Sequence, residues 1–166
     1  MAGLVTEIKF FHIPKNLEDD GVNVGWFQDQ KYDEKTSVAQ VARWNEFGTK
    51  AGIPERPFMR TAKMNNESKW VEQLKTLIQR EIDKNKGGSI EKALKQFGEI
   101  AKGDIQKTIL AGGFKPNAKI TIEGGWMRRK GGKPFYVKGK GAGKLPLIDT
   151  GIMISSIQSR TDKELM

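Results

Sequence analysis

Residues 38 to 60 read VAQVARWNEFGTKAGIPERPFMR, and the fold turns on how that stretch divides. Ser37 followed three residues later by Gln40 matches a capping box, in which each side chain takes a free backbone donor at a helix start. A short helix therefore opens over VAQVARWNEF, and Gly48 is expected to end it as a left-handed residue. The loop TKAGIPER follows. Pro57 then suits the first turn of a second helix, where its fixed φ is favourable and its missing N–H is not needed. When the chain doubles back, Glu46 meets Arg56 or Arg60, and such a pair, partly buried, sets the angle between the two helices.

The pattern continues outward. Trp70, Val71, Leu74, Leu77, Ile78 and Ile82 recur at helical spacing on one face of the second helix, which Gly87 and Gly88 break. Ser89 is placed to cap a third helix, with Ile90, Ala93, Leu94, Phe97, Ala101, Ile105 and Ile109 as its buried stripe before Gly112 and Gly113. Upstream, GLVTEIKFF and VNVGWF read as two strands joined as a hairpin across PKNLEDDG. Downstream, AKITIE alternates as a strand does, KPFYVKG is a second strand facing it, and Asp149 or Thr150 caps a final short helix in GIMISSIQS. The expected fold is α+β. It is a single domain over residues 1–166, a mixed or antiparallel sheet packed with three to four helices and carrying a long basic Gly/Lys-rich arm.

Composition narrows the chemistry. At 166 residues the chain suits one domain with a sizeable core. It has no cysteine, so disulfides and thiolate metal sites are excluded. His12 is the only histidine and lies in the apolar run IKFFHIP, where a packed or surface role is expected. MAGLVTEIKF has no basic leader, and no apolar run approaches a membrane span, so the expectation is a soluble protein made in the cytoplasm with no membrane partner. No catalytic, cofactor-binding or metal residue is assigned.

Charge is concentrated in one place. Residues 115 to 144 hold nine basic residues against Glu123, a net +8 out of +9 for the whole chain. Within this segment, residues 124–144 are also rich in glycine, which resists ordering, and read as a mobile arm or an extended hairpin. Arg128, Arg129, Lys130, Lys133, Lys138, Lys140 and Lys144 are its candidate contact residues. The preferred reading is an arm that orders on an acidic partner protein, then a solvated loop, then weak sequence-blind contact with DNA phosphates. Trp126, Phe135 and Tyr136 suit either stacking on bases or anchoring a hairpin.

The triplet Asp149-Thr150-Gly151 resembles the turn on which an aspartic protease presents its carboxylate. That chemistry needs two such turns sharing a proton, and only one is present. A helix cap accounts for both Asp149 and Thr150.

Three blocks, taken together and in order, carry a further resemblance: Asn45-Glu46-Phe47-Gly48-Thr49, then Ile53-Pro54-Glu55-Arg56-Pro57-Phe58, then Pro146-Leu147-Ile148-Asp149-Thr150-Gly151 with Ser155-Ser156-Ile157. The chain, over residues 22 to 157, resembles the small neck and tail-completion proteins of tailed bacteriophages and prophages. The resemblance implies a structural virion-assembly protein at the head-tail junction or tail end. Such a protein is not an enzyme and acts by subunit contacts, usually as a homo-oligomeric ring joined to other head, neck or tail proteins. It would be found in the virion and, during assembly, in the host cytoplasm. Two departures stand out: the region before PLIDTG is long and glycine-lysine-rich, and little follows Ile157, where a closing strand is expected. On this reading the 45 to 60 loop is a contact surface, with Phe47, Ile53 and Phe58 as apolar anchors and Glu46, Arg56 and Arg60 as polar locks. The alternative is that these residues only pack two helices together. A rival function of another class is a nucleic-acid-binding module built on residues 115–144.

Overall fold

Ser37 starts the first helix as its sequence predicts. Its hydroxyl accepts the Gln40 N–H at 3.1 Å, and α1 runs Val38–Phe47 to Gly48, whose φ of 69° is left-handed although its ψ of 176° is extended. The computed structural model describes residues 21–32, 34, 36–50, 52–84, 88–128, 131–139, 141, 147 and 151–165. The strand expected in GLVTEIKFF, its hairpin, His12 and the Asp149–Thr150 cap lie outside them.

Two long helices form the centre: α2, Phe58–Ile82, and α3, Ile90–Ala111, the latter capped by Ser89 through Lys92 N–H at 3.3 Å. They pack antiparallel along each other. The α3 stripe is buried as its spacing requires, from Ala93 and Leu94 through Phe97, Ala101 and Ile105 to Ile109, with Ile90 half-buried at its start. The α2 stripe is narrower than expected: Trp70, Leu74 and Leu77 are buried, whereas Val71 and Ile82 are exposed. Val71 lies a full 100° or so around the helix from Trp70, beyond the strip that α3 covers. Within the α3 stripe, Asp104 is a buried acid that accepts the Trp70 indole N–H at 2.9 Å and meets Lys69 and Lys107 at the rim. Burial by itself pushes the Asp104 carboxyl up, but these hydrogen bonds, led by Trp70, outweigh it and hold the group below the ordinary aspartate value.

Among the described residues, the helices are flanked by two separate antiparallel ribbons rather than one sheet. In the first, β1, Val22–Gly25, pairs with β4, Gln158–Thr161, with Val22 opposite Thr161. A strand does follow Ile157, in QSRT. Its residues carry no apolar alternation, and pairing is completed by Asp162, which accepts from Gly21 N–H at 2.8 Å and from the Asn23 amide at 2.6 Å. This ribbon rests on α3 at Gly98, where a Cβ would stand 2.7 Å from Ser159 Cβ and 2.9 Å from Val22 Cγ2. Glycine is kept in mid-helix, against its propensity, because only a bare backbone admits the strands there. Gly98→Val is expected to lower unfolding free energy by about 2–3 kcal/mol in urea titrations. Gly98→Ala should cost less, since it recovers about 1 kcal/mol of helix propensity; an unchanged midpoint for valine would mean that the ribbon does not rest on α3.

AKITIE is not a strand. Lys119–Glu123 forms α4, closed by Thr121 and Ile122 N–H donating to Ala118 O. Five residues fit one helical turn as well as a period of two, and the pairing partner decides: β3, Pro134–Lys138, pairs with β2, Gly124–Arg128, immediately after α4. The base of this second ribbon is pinched, with a Cβ at Gly124 falling 2.5 Å from Gly139 N at a φ of 78°. Short helices α5, Ile152–Ser155, and α6, Asp162–Leu165, complete the described chain. Trp26 ties β1 to the rest, donating its indole N–H to Met153 O at 2.7 Å and meeting Phe58 edge-on at 5.6 Å. No helix among the described residues is long and apolar enough to cross a membrane. The architecture is α+β.

Candidate functional site

The free N–H groups at the start of α2 determine the geometry of the 45 to 60 junction. Pro57 stands at the N-cap position and has no side-chain acceptor, so the donors of Met59 and Arg60 need one from elsewhere. Glu46, in the last turn of α1 and buried, supplies it: Oε2 accepts Met59 N–H at 2.9 Å and Oε1 accepts Arg60 N–H at 3.2 Å. A carboxylate there is unfavourable for its own helix C-terminus but favourable for the N-terminus it faces. Arg60 closes the unit, with Nε 2.9 Å from Glu46 Oε1 and Nη2 bonded to Glu46 O and to Glu55 Oε1.

Arg56 takes a different role from the one offered as an alternative by its spacing. Its guanidinium turns away from Glu46 into the fold, donating to Lys115 O at 2.7 Å, Asn45 Oδ1 at 2.7 Å, Pro116 O at 3.1 Å and Asn117 Oδ1 at 3.0 Å. It is 3% exposed, and burial pushes its pKa down from the ordinary arginine value. The surrounding oxygens are neutral, so this cation is held by dipoles rather than by an opposing charge. The Arg56 N–H also donates to Asn45 O at 2.7 Å, and Thr49 and Ile53 bond across the intervening turn. A cavity of about 350 Å³ opens beside this knot, lined by Asn45, Ile53, Arg56, Asn117, Leu147 and Met153 among others.

The expected contact residues thus separate into two sets. Glu46, Arg56 and Phe58 lie inside the fold, Phe58 with no exposed surface, and what they touch is their own chain. Phe47 is 53% exposed, Arg60 is exposed and Ile53 is half-buried. The Arg60 guanidinium sits 5.0 Å from the centre of the Phe47 ring. Trp44, three residues before Phe47 on the same helical face, is also partly exposed and was not singled out by the sequence. Nor was Glu81, which repeats the Glu46 device: buried near the end of α2, it accepts Ser89 N–H at 3.2 Å where α3 begins. An acidic residue in the last turn of a helix, where its charge is locally unfavourable, is the signal common to both.

Of the basic arm, Arg128 and Lys138 lie at the two ends of the β2–β3 ribbon and Lys133 beside its turn, all exposed. Arg129, Lys130, Lys140 and Lys144 lie outside the described residues. Trp126 and Tyr136 meet edge-on across the ribbon, ring centroids 5.6 Å apart and planes at 71°, and are 73% and 59% exposed. Among the described residues no group of three or more His, Cys, Asp or Glu side chains is placed to hold a metal ion. Comparison of the chain with protein-family profiles, with curated proteins and with solved structures finds no match.

Proposed function

We propose that this chain is a structural virion-assembly protein of a tailed phage or prophage, working at the head-tail junction or tail end through subunit contacts that close a ring. Two of the three sequence blocks that suggest this are joined by hydrogen bonds, Asn45 holding Arg56, and Glu46 of the first block reaches Met59 and Arg60 just beyond the second. The observation that carries the reading is the surface this unit holds up: Phe47 and Trp44 exposed on one helix face with Arg60 against the Phe47 ring. Exposed aromatics beside arginine on a rigid junction are the residue types that concentrate binding energy at interfaces. A ring needs such a patch to meet a different patch on its neighbour, with the rotation between them closing the circle. Other head, neck or tail proteins would then dock on the faces of the ring.

Light scattering with negative-stain imaging tests this. The expected result is a discrete oligomer with rotational symmetry. Phe47→Asp should weaken assembly by roughly 30-fold or more, the loss typical of a hot-spot residue, while leaving circular dichroism unchanged because the ring lies on the surface. A strictly monomeric wild-type particle removes the ring, and an undisturbed Phe47→Asp ring moves the interface elsewhere.

A further inference from the structure

We infer that the β2–β3 ribbon is a docking surface for single-stranded nucleic acid, presented on the ribbon face turned away from α4. Strand alternation divides the ribbon's side chains between two faces. Gly125, Met127, Phe135 and Val137 share one face, and a Cβ at Gly125 would fall 2.9 Å from Ile120 Cδ1, so that face looks onto α4. Val137 is half-buried there, and Met127 and Phe135 are the less exposed of the large ribbon side chains. The hairpin already has its apolar anchors. Trp126 and Tyr136 are opposite each other on the other face and remain mostly open to solvent.

Alternation also puts Arg128 and Lys138 on the Trp126–Tyr136 face, each two residues along its strand from the rings and therefore about 7 Å to either side. Arg128 donates Nε to Gly132 O at 3.0 Å, which holds its guanidinium near the tip. From residue 124 to residue 139 the chain has five basic side chains and no acid. The face is an aromatic pair bracketed by cations, and its charge complement is an anion.

The rings choose among anions. An acidic peptide uses the cations and leaves the ring faces idle. A duplex supplies phosphates but keeps its bases stacked inside. Unstacked bases on a phosphate backbone use both, with little dependence on sequence, because every base offers a flat face. Phe135, grouped with these rings when only their spacing is considered, belongs to the opposite face and is not part of the surface.

The full chain is titrated with a fluorescently labelled oligothymidylate at low salt, followed by anisotropy. Binding is expected to be tighter than to a duplex of equal length. Trp126→Ala and Tyr136→Ala should each weaken it about tenfold, in line with the loss of one stacked base, and Trp126→Phe should regain part of that. Lys138→Gln should flatten the log–log salt dependence by about 0.7, one single-strand phosphate contact. A reading that leaves the ribbon unaltered comes from Trp44→Phe protein, in which Trp126 is the exposed indole because Trp26 and Trp70 are buried. Oligothymidylate should quench that fluorescence. No binding at low salt, equal affinity for duplex, indifference to both alanine substitutions, an unquenched Trp126, or capture of polyglutamate in preference to the oligonucleotide would each overturn the inference.

Discussion

Glu46→Ala is expected to lower unfolding free energy by about 3 kcal/mol, the sum of a lost helix cap and of a buried N–H left without an acceptor. In a domain of this size that is about 6–12 °C in thermal midpoint. The reason is the position of the carboxylate: Met59 and Arg60 N–H lose their acceptor together, and Pro57 has no side chain to replace it. Glu46→Gln keeps only one of the two capping oxygens and sets an amide NH2 against the other donor, so it should recover only part of the loss. Arg60→Ala removes the ion pair but leaves the cap, and should cost only about 1 kcal/mol because the Arg60 side chain is 48% exposed. Chemical denaturation of the three variants separates the contributions. Equal losses for Glu46→Ala and Arg60→Ala would show that the ion pair, and not the cap, holds the junction.

Arg56→Glu is expected to leave no folded protein. It replaces the donor for Lys115 O, Pro116 O, Asn45 Oδ1 and Asn117 Oδ1 with an anion among those oxygens, in a place 3% exposed. Arg56→Ala should cost about 4 kcal/mol, since buried acceptors lose their donor at roughly 1–3 kcal/mol each and water entering from the adjacent cavity restores part. Arg56→Lys should fall between, because a single ammonium cannot reproduce the planar fork. Circular dichroism and size-exclusion elution check all three. A well-folded Arg56→Glu monomer that fails only to assemble would assign Arg56 to an interface and reverse this account.

Neither the inward turn of Arg56 nor the pairing of Arg60 with Glu46 is written in the local sequence. The spacing of Glu46 left Arg56 and Arg60 open as partners, and both lie within reach along the chain. Arg60 takes the carboxylate because the first turn of α2 carries it past Glu46, while Arg56 precedes the helix and points to the segment after α3. That segment, 115–117, is 59 to 61 residues away, and its carbonyls have no signature in the amino-acid order. Phe58 illustrates the same limit: an aromatic at a loop junction suits an interface anchor or a core residue, and its edge-on contact with Trp26 places it in the core.

Elements that satisfy themselves locally were legible. Ser37 and Ser89 cap helices within three residues of themselves, and the α3 stripe is long enough for its period to be unambiguous. Elements completed by distant partners were not. QSRT becomes a strand because β1 lies beside it, KITIE becomes a turn of helix because β2 takes the pairing with β3, and Gly98 is explained only by the ribbon crossing it. By itself the amino-acid order determined the Ser37 and Ser89 caps, the helical period of α3, the run of positive charge and the absence of cysteine chemistry. Which arginine went inside, which strands met and which aromatic rings faced solvent were decided in three dimensions, because a backbone or side-chain hydrogen bond is set by what lies opposite, and proximity across dozens of residues is a property of packing.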